Sequence, residues 1–139
     1  MARTPLKLGI AANPNSNPAR YWSCWGLDIG WTEIRKEFSS VEYEHLVQQF
    51  RLLATEVSPS ISKCLSIDKV EDFFELRDKG GVLGNTNARI FYGIDSDRGA
   101  VITLGGIKKQ NNGPTPLGDK VRMRRRWRKY LNGDYGFPS

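Results

Sequence analysis

Two consecutive stretches, ARIFYGID and GAVITLGGIKK, constrain this chain more than any other part of it. Both are dense in β-branched and aromatic residues, which fit a pleated surface better than a helix. The segment joining them, Asp95-Ser96-Asp97-Arg98-Gly99, is short and made of turn formers, so the pair reads as a hairpin. Upstream, DFFELRD alternates loosely and reads as a further strand, with the glycine-rich GGVLGNTN between. No GK[ST] succeeds that loop and no helix begins there, which argues against a phosphate cradle. The DSDRG string hints at a calcium loop, but the twelfth position from Asp95 is Gly106, not the glutamate such a loop needs. Three strands joined by two short loops predict an antiparallel meander.

The segment C-terminal to the meander is chemically distinctive. The second run ends in Lys108-Lys109, and after Thr115-Pro116 a helix is expected, with a cap and a proline at its first position. Leu117, Val121, Trp127 and Leu131 are expected to face the sheet, with Met123 and Tyr130 at the margins, and Asn132-Gly133 to close the helix. Between Lys120 and Lys129 it carries Lys120, Arg122, Arg124, Arg125, Arg126, Arg128 and Lys129 with no acid among them. Cations in a last turn complement the helix dipole, but like charges four residues apart repel. Residues 98–139 hold ten Lys/Arg against two Asp/Glu, although the whole chain is only +6. Charge gathered in this way is the footprint of a phosphate-rich partner.

The remainder reads as scaffold. Residues 1–20 are rich in Pro, Asn and Ser, a loose tail with at most one short strand at Leu6–Ala11. Tyr21, Trp22, Trp25 and Trp31 have no basic residues between the tryptophans, so packing over the core is favoured above a base-stacking platform. A helical turn over Thr32–Phe38 is expected to precede the clearest helix of the chain. That helix opens with Ser39 and Glu42 at capping-box spacing. Tyr43, Leu46, Val47, Phe50, Leu53, Ala54 and Val57 then form one apolar stripe, ended by Ser58-Pro59. His45 falls on the flank of that stripe and reads as a solvated surface histidine.

Length and composition bound the rest. At 139 residues the chain suits one domain with one sizeable core. No run approaches the ~18–20 apolar residues of a bilayer span, and Met1–Ala12 is too weakly apolar for a signal peptide; both predict a cytoplasmic protein. Cys24 and Cys64 are then expected as unpaired thiols, and a single histidine leaves no basis for a histidine-rich zinc site.

Taken in order, FFELRD, ARIFYGID, a strand ending in IKKQ, a threonine-proline loop and a helix ending in RRRWRKYL resemble the RelE/HigB superfamily of bacterial toxins, its phage-derived HigB-like branch above all. The likeness covers roughly residues 41–131 and is best from Phe73 onward. It implies an α+β fold in which N-terminal helices pack on a small antiparallel meander sheet, with a basic C-terminal helix. Residues 1–38 would be a partly irregular extension, 39–133 the toxin domain and 134–139 a tail. The activity implied is ribosome-dependent cleavage of mRNA by 2′-hydroxyl attack, without metal or cofactor, with a helix-turn-helix antitoxin as protein partner. Carried over by position, Arg77, Arg89, Lys108, Lys109 and Tyr130 would form the catalytic set, converging on one concave pocket. The basic helix would bind RNA. The sequence departs from the family in having no histidine after His45, so the histidine acid–base chemistry of some HigB toxins is not expected to operate, and a lysine or tyrosine would have to move the proton. Two alternatives use the same residues: a non-catalytic RNA- or DNA-binding module, and a protein-interaction domain whose cationic helix meets an acidic partner.

Overall fold

The computed structural model describes residues 6–7, 22–62, 65–109 and 113–136. Its elements in chain order are β1 (Leu6–Lys7), β2 (Ser23–Gly26), α1 (Asp28–Glu37), α2 (Ser40–Leu52), β3 (Ser66–Lys69), β4 (Phe74–Asp78), β5 (Asn87–Asp95), β6 (Ala100–Lys109) and α3 (Leu117–Leu131). The loose tail expected over residues 1–20 lies outside the described residues except for Leu6–Lys7. The strands form one six-stranded sheet in the order β1-β2-β6-β5-β4-β3. From β3 to β6 each neighbour is antiparallel, whereas β2 lies parallel to β6, Ser23 opposite Ala100 and Gly26 opposite Thr103.

This corrects the expected architecture of N-terminal helices on a small antiparallel meander. Two strands precede the helices, the sheet is mixed, and residues 23–37, assigned to an extension, build a strand beside β6 and a helix packed into the core. The aromatic cluster hides the strand. Across β2 the side chains alternate: Cys24 joins the core under α1 and α2, and Trp25 the core under α3. A strand buried on both faces has no polar alternation to betray it. The short edge strand β3 has no sequence signature either, because three of its four residues are exposed.

Helices cover both faces. On one, Trp31 and Ile34 of α1, Phe38 just after it, and Leu46, Val47 and Phe50 of α2 pack on Leu76, Ala88, Ile90, Tyr92 and Val101. Gly30 permits this close approach, since a Cβ there would stand 2.6 Å from the Leu104 carbonyl oxygen. Ser39 caps α2 as its spacing implied, accepting from the Glu42 amide while Glu42 accepts from the Ser39 amide. On the other face Met123, Trp127 and Tyr130 of α3 pack on Phe91, Ile102, Leu104 and Ile107. Here the expected helix phase holds at Trp127 and fails at both ends. Leu117 and Leu131 are exposed, whereas Met123, Tyr130 and even Arg126 point inward. The stripe that wins is Met123–Trp127–Tyr130, at i, i+4 and i+7, and its stacked Trp127–Tyr130 rings lie 5.3 Å apart. Trp127 fits because Gly93 below it has no side chain; a Cβ there would meet the indole at 2.3 Å.

Candidate functional site

Strand register decides which of the expected site residues can meet. Arg77 pairs with Arg89, Arg89 with Ile107, and Asn87 with Lys109, so Arg77, Arg89 and Lys109 share the face that α3 covers. Lys108 pairs with Ala88 and faces the other way, toward α1 and α2. Two adjacent strand residues cannot point to one side of a sheet, so the double lysine is split by the pleat. The expected single pocket holding Arg89 and both lysines is not formed.

On the α3 face the cations are engaged inside the protein. Arg89 is 1% exposed; its Nη1 donates to Thr115 Oγ1 at 3.0 Å and its Nη2 donates to the Gly113 carbonyl. Thr115 Oγ1 in turn donates to Glu75 at 2.6 Å, and Arg77 donates to the other Glu75 oxygen at 2.8 Å and pairs with Asp68 at 3.0 Å. Lys109 Nζ donates to the Pro114 carbonyl at 2.9 Å. These groups tie the 113–116 loop to the sheet. Burial pushes the Arg89 pKa down, partly offset by the Glu75 carboxylate. Thr115 therefore locks a loop and does not cap α3, whose N-cap position is Pro116 without a side-chain cap. On the opposite face Lys108 reaches Glu42 at 3.5 Å and lies over the Phe38 ring.

Tyr130 belongs to neither group. It donates to Asp95 at 2.6 Å, beside Arg98, at the β5–β6 turn. Asp95 is six residues along β5 from Arg89, about 20 Å at ~3.3 Å per residue. Burial, then the bond to Asp95, raises the Tyr130 pKa above the usual tyrosine value. Tyr130 cannot share a reacting atom with Arg89.

The basic helix is likewise less free than its sequence suggests. Acids absent from the helix's own run arrive from other elements: Arg122 and Arg126 both bind Glu33 of α1, at 2.8 and 2.7 Å, and Arg122 also binds Asp119. Arg126 donates as well to the Leu104 carbonyl at 2.8 Å. Arg124 grips Glu71 with two nitrogens, holding that carboxyl below its usual range. Lys120 is half-buried, while Arg125, Arg128 and Lys129 are exposed. Those three stand at i, i+3 and i+4 and form one outward cationic face.

One arrangement has no warning in the sequence. His45 Nε2 lies 2.6 Å from Asp78 Oδ2, and Asp78 Oδ1 accepts the Lys79 amide at 2.8 Å. The pair stands where the strand ends Asp78, Asn87 and Lys109 gather, beside a groove of about 480 Å³. Its walls include Gln49, Arg77, Asp78, Lys79 and Asn87, over Leu65 and Leu76. The signal is faint: His45 precedes Gln49 by one helical turn, but Asp78 is visible only as the last residue of a strand. A second groove of about 280 Å³ between Arg77, Glu75, Thr115 and Lys120 lies on the α3 side.

Cys24 is buried with its Sγ 3.8 Å from the Phe50 carbonyl oxygen, and Cys64 lies outside the described residues. Among the described residues no helix is long and apolar enough to cross a membrane. No protein-family model, curated protein or solved structure matches the chain.

Proposed function

We propose that this protein acts on RNA as a metal-independent endonuclease of the RelE/HigB toxin kind, cutting mRNA on the ribosome and held in check by an antitoxin. The observation that carries the reading is the charge at one end of the sheet. There the last residues of β4 and β6 and the first of β5 lie together, with Arg77 and Lys79 in the lining of the groove and Lys108 and Lys109 at the end of β6, on opposite faces of the sheet. The His45–Asp78 pair stands among them. Cations near a strained phosphodiester stabilise the charge that builds as the 2′-oxygen attacks. The groove supplies a concave polar place for it. The outward face of Arg125, Arg128 and Lys129 adds non-specific grip on the RNA backbone.

Purified protein added to a translating extract should stop synthesis and leave mRNA fragments with cyclic phosphate ends. Intact transcripts beside an active control nuclease would rule the reading out.

A second reading is favoured by the inward use of Arg89, Lys109 and Arg126. The chain would then be a passive nucleic-acid binder, with Arg125, Arg128 and Lys129 as its contact face. Binding without cutting, with affinity falling steeply as salt rises, is its signature.

A further inference from the structure

The groove between α2 and the ends of β3, β4 and β5 has the parts of a reaction site, and it shares Arg77 with the set that the family likeness singles out. It is about 480 Å³, within the ~300–1,000 Å³ of small-molecule sites. Its floor is apolar, Leu65 and Leu76, and suits the face of a base or sugar. Its walls offer amides that can read base edges, Gln49 and Asn87, and a cation that suits a phosphate, Lys79, which is exposed. The Asp68 carboxylate in the same wall is paired with Arg77, whose guanidinium also binds Glu75 on the α3 side of the sheet.

At the rim, Asp78 fixes His45. A carboxylate 2.6 Å from Nε2 keeps the proton on that nitrogen and leaves the lone pair on Nδ1. The Asp78 carboxylate is itself held by the Lys79 amide through Oδ1, so the imidazole is clamped from two links away. An oriented imidazole with a free basic nitrogen and side-chain exposure of 29% is what a general base needs. Nothing in the core requires this hydrogen-bonded pair: neither side chain belongs to the buried apolar clusters on the two faces.

We propose that this groove takes a ribonucleotide phosphodiester and that His45 is its proton acceptor, with Asp78 as the positioning residue. This rests on the ribonuclease reading and deepens it. His45 Nδ1 removes the proton of the 2′-hydroxyl, and the 2′-oxygen forms a bond to the adjacent phosphorus. The bond from phosphorus to the 5′-oxygen breaks, and the leaving oxygen takes a proton from solvent water. The imidazolium then gives its proton to the hydroxide so formed. A 2′,3′-cyclic phosphate and a 5′-hydroxyl remain, and no oxidant, metal or cofactor is consumed. Lys79 faces the phosphate oxygens while their charge is greatest.

The chain contains one histidine, so the imidazole signal in an NMR spectrum belongs to His45 without assignment. The full-length protein is titrated with a short 2′-deoxy-substituted oligoribonucleotide that cannot be cut, and cleavage is measured with the unmodified RNA. The expected result is that the His45 ring signals move on binding. His45→Gln then lowers cleavage about 10²-fold or more, within the usual range for a general base, and changes oligonucleotide affinity less than about twofold. Asp78→Asn lowers kcat and leaves KM unchanged, because the imidazole loses the carboxylate that orients it. A ring signal that stays put while the α3 amides around Arg125 and Lys129 shift would overturn this assignment and leave the ribonuclease reading standing. So would undiminished cutting by His45→Gln. Neither binding nor cutting by the wild-type chain would overturn both.

Discussion

Removing Glu33 tests whether the basic helix is an internal strut or an open phosphate comb. Glu33 of α1 is the shared acceptor for Arg122 and Arg126, and the Arg126 side chain is only 10% exposed. Breaking one side of a buried ion pair costs ~3–5 kcal/mol, because the remaining charge is stranded. Two facts lower that figure here. Glu33 is 20% exposed, and Arg126 keeps its bond to the Leu104 carbonyl. Glu33→Ala is therefore expected to cost about 2 kcal/mol, just under the range for loss of a fully buried pair. With ~2.1 cal/mol/K of unfolding entropy per residue over 139 residues, that is a fall in Tm of about 7 °C. Glu71→Ala supplies the control, since its pair with Arg124 is 37% and 29% exposed and such surface pairs contribute little. Adding Arg126→Met to Glu33→Ala should restore part of the loss, because no stranded charge remains. Urea midpoints at unchanged slope measure all four proteins. If Glu33→Ala costs no more than Glu71→Ala, Arg126 is as free as any surface cation and the inward reading of the helix is wrong.

Gly93→Ala should destabilise by ~1–3 kcal/mol, because its Cβ would stand 2.3 Å from the Trp127 ring and force the helix outward; thermal melts decide it, and an unchanged Tm would show the contact is loose. Neutralising Arg125, Arg128 and Lys129 together should flatten the salt dependence of single-strand binding by a slope of about 2, at ~0.7 per phosphate, whereas Arg124→Gln should leave the slope almost unaltered. Acid should unfold the protein through its depressed carboxylates. Glu42 is lowered by the Ser39 amide and Glu71 by the Arg124 guanidinium; at Asp95 burial raises the pKa, but bonds from Tyr130 and Arg98 outweigh it. Their folded values lie below the unfolded ones near ~4, so this stability is complete above about pH 5 and disappears as pH falls below about 4. If replacing the three by their amides leaves the acid transition where it was, other groups carry it.

Local rules succeed where one element answers to its own residues. The capping box of α2, the hairpin at Asp95–Gly99 and the two long strands each arise from short-range chemistry. What escapes is long-range. β2 becomes a strand only because β6 offers it a parallel edge, and α3 turns Arg126 inward only because Glu33 and the Leu104 carbonyl wait there. The same logic governs the candidate site. Residue types near Arg77, Arg89 and the lysines are readable as cationic, but their partners are not. Glu75 and Thr115 are 40 positions apart, and His45 and Asp78 are 33. The alternation of a strand does contain one warning, since adjacent lysines cannot share a face.

The parallel edge between β2 and β6 also governs how the chain can be made. During synthesis the stretch Ser23–Gly26 emerges early, yet its partner Ala100–Thr103 belongs to the last strand to appear. Until then α1 lacks β6 beneath it, although β4 and β5 already offer Leu76, Ala88, Ile90 and Tyr92 to the apolar sides of α1 and α2. Distant pairing of this sort slows folding, because the loop entropy is lost before the contacts form. A product that stops ahead of β6 would leave both cores incomplete and their apolar surface exposed, so it is expected to aggregate.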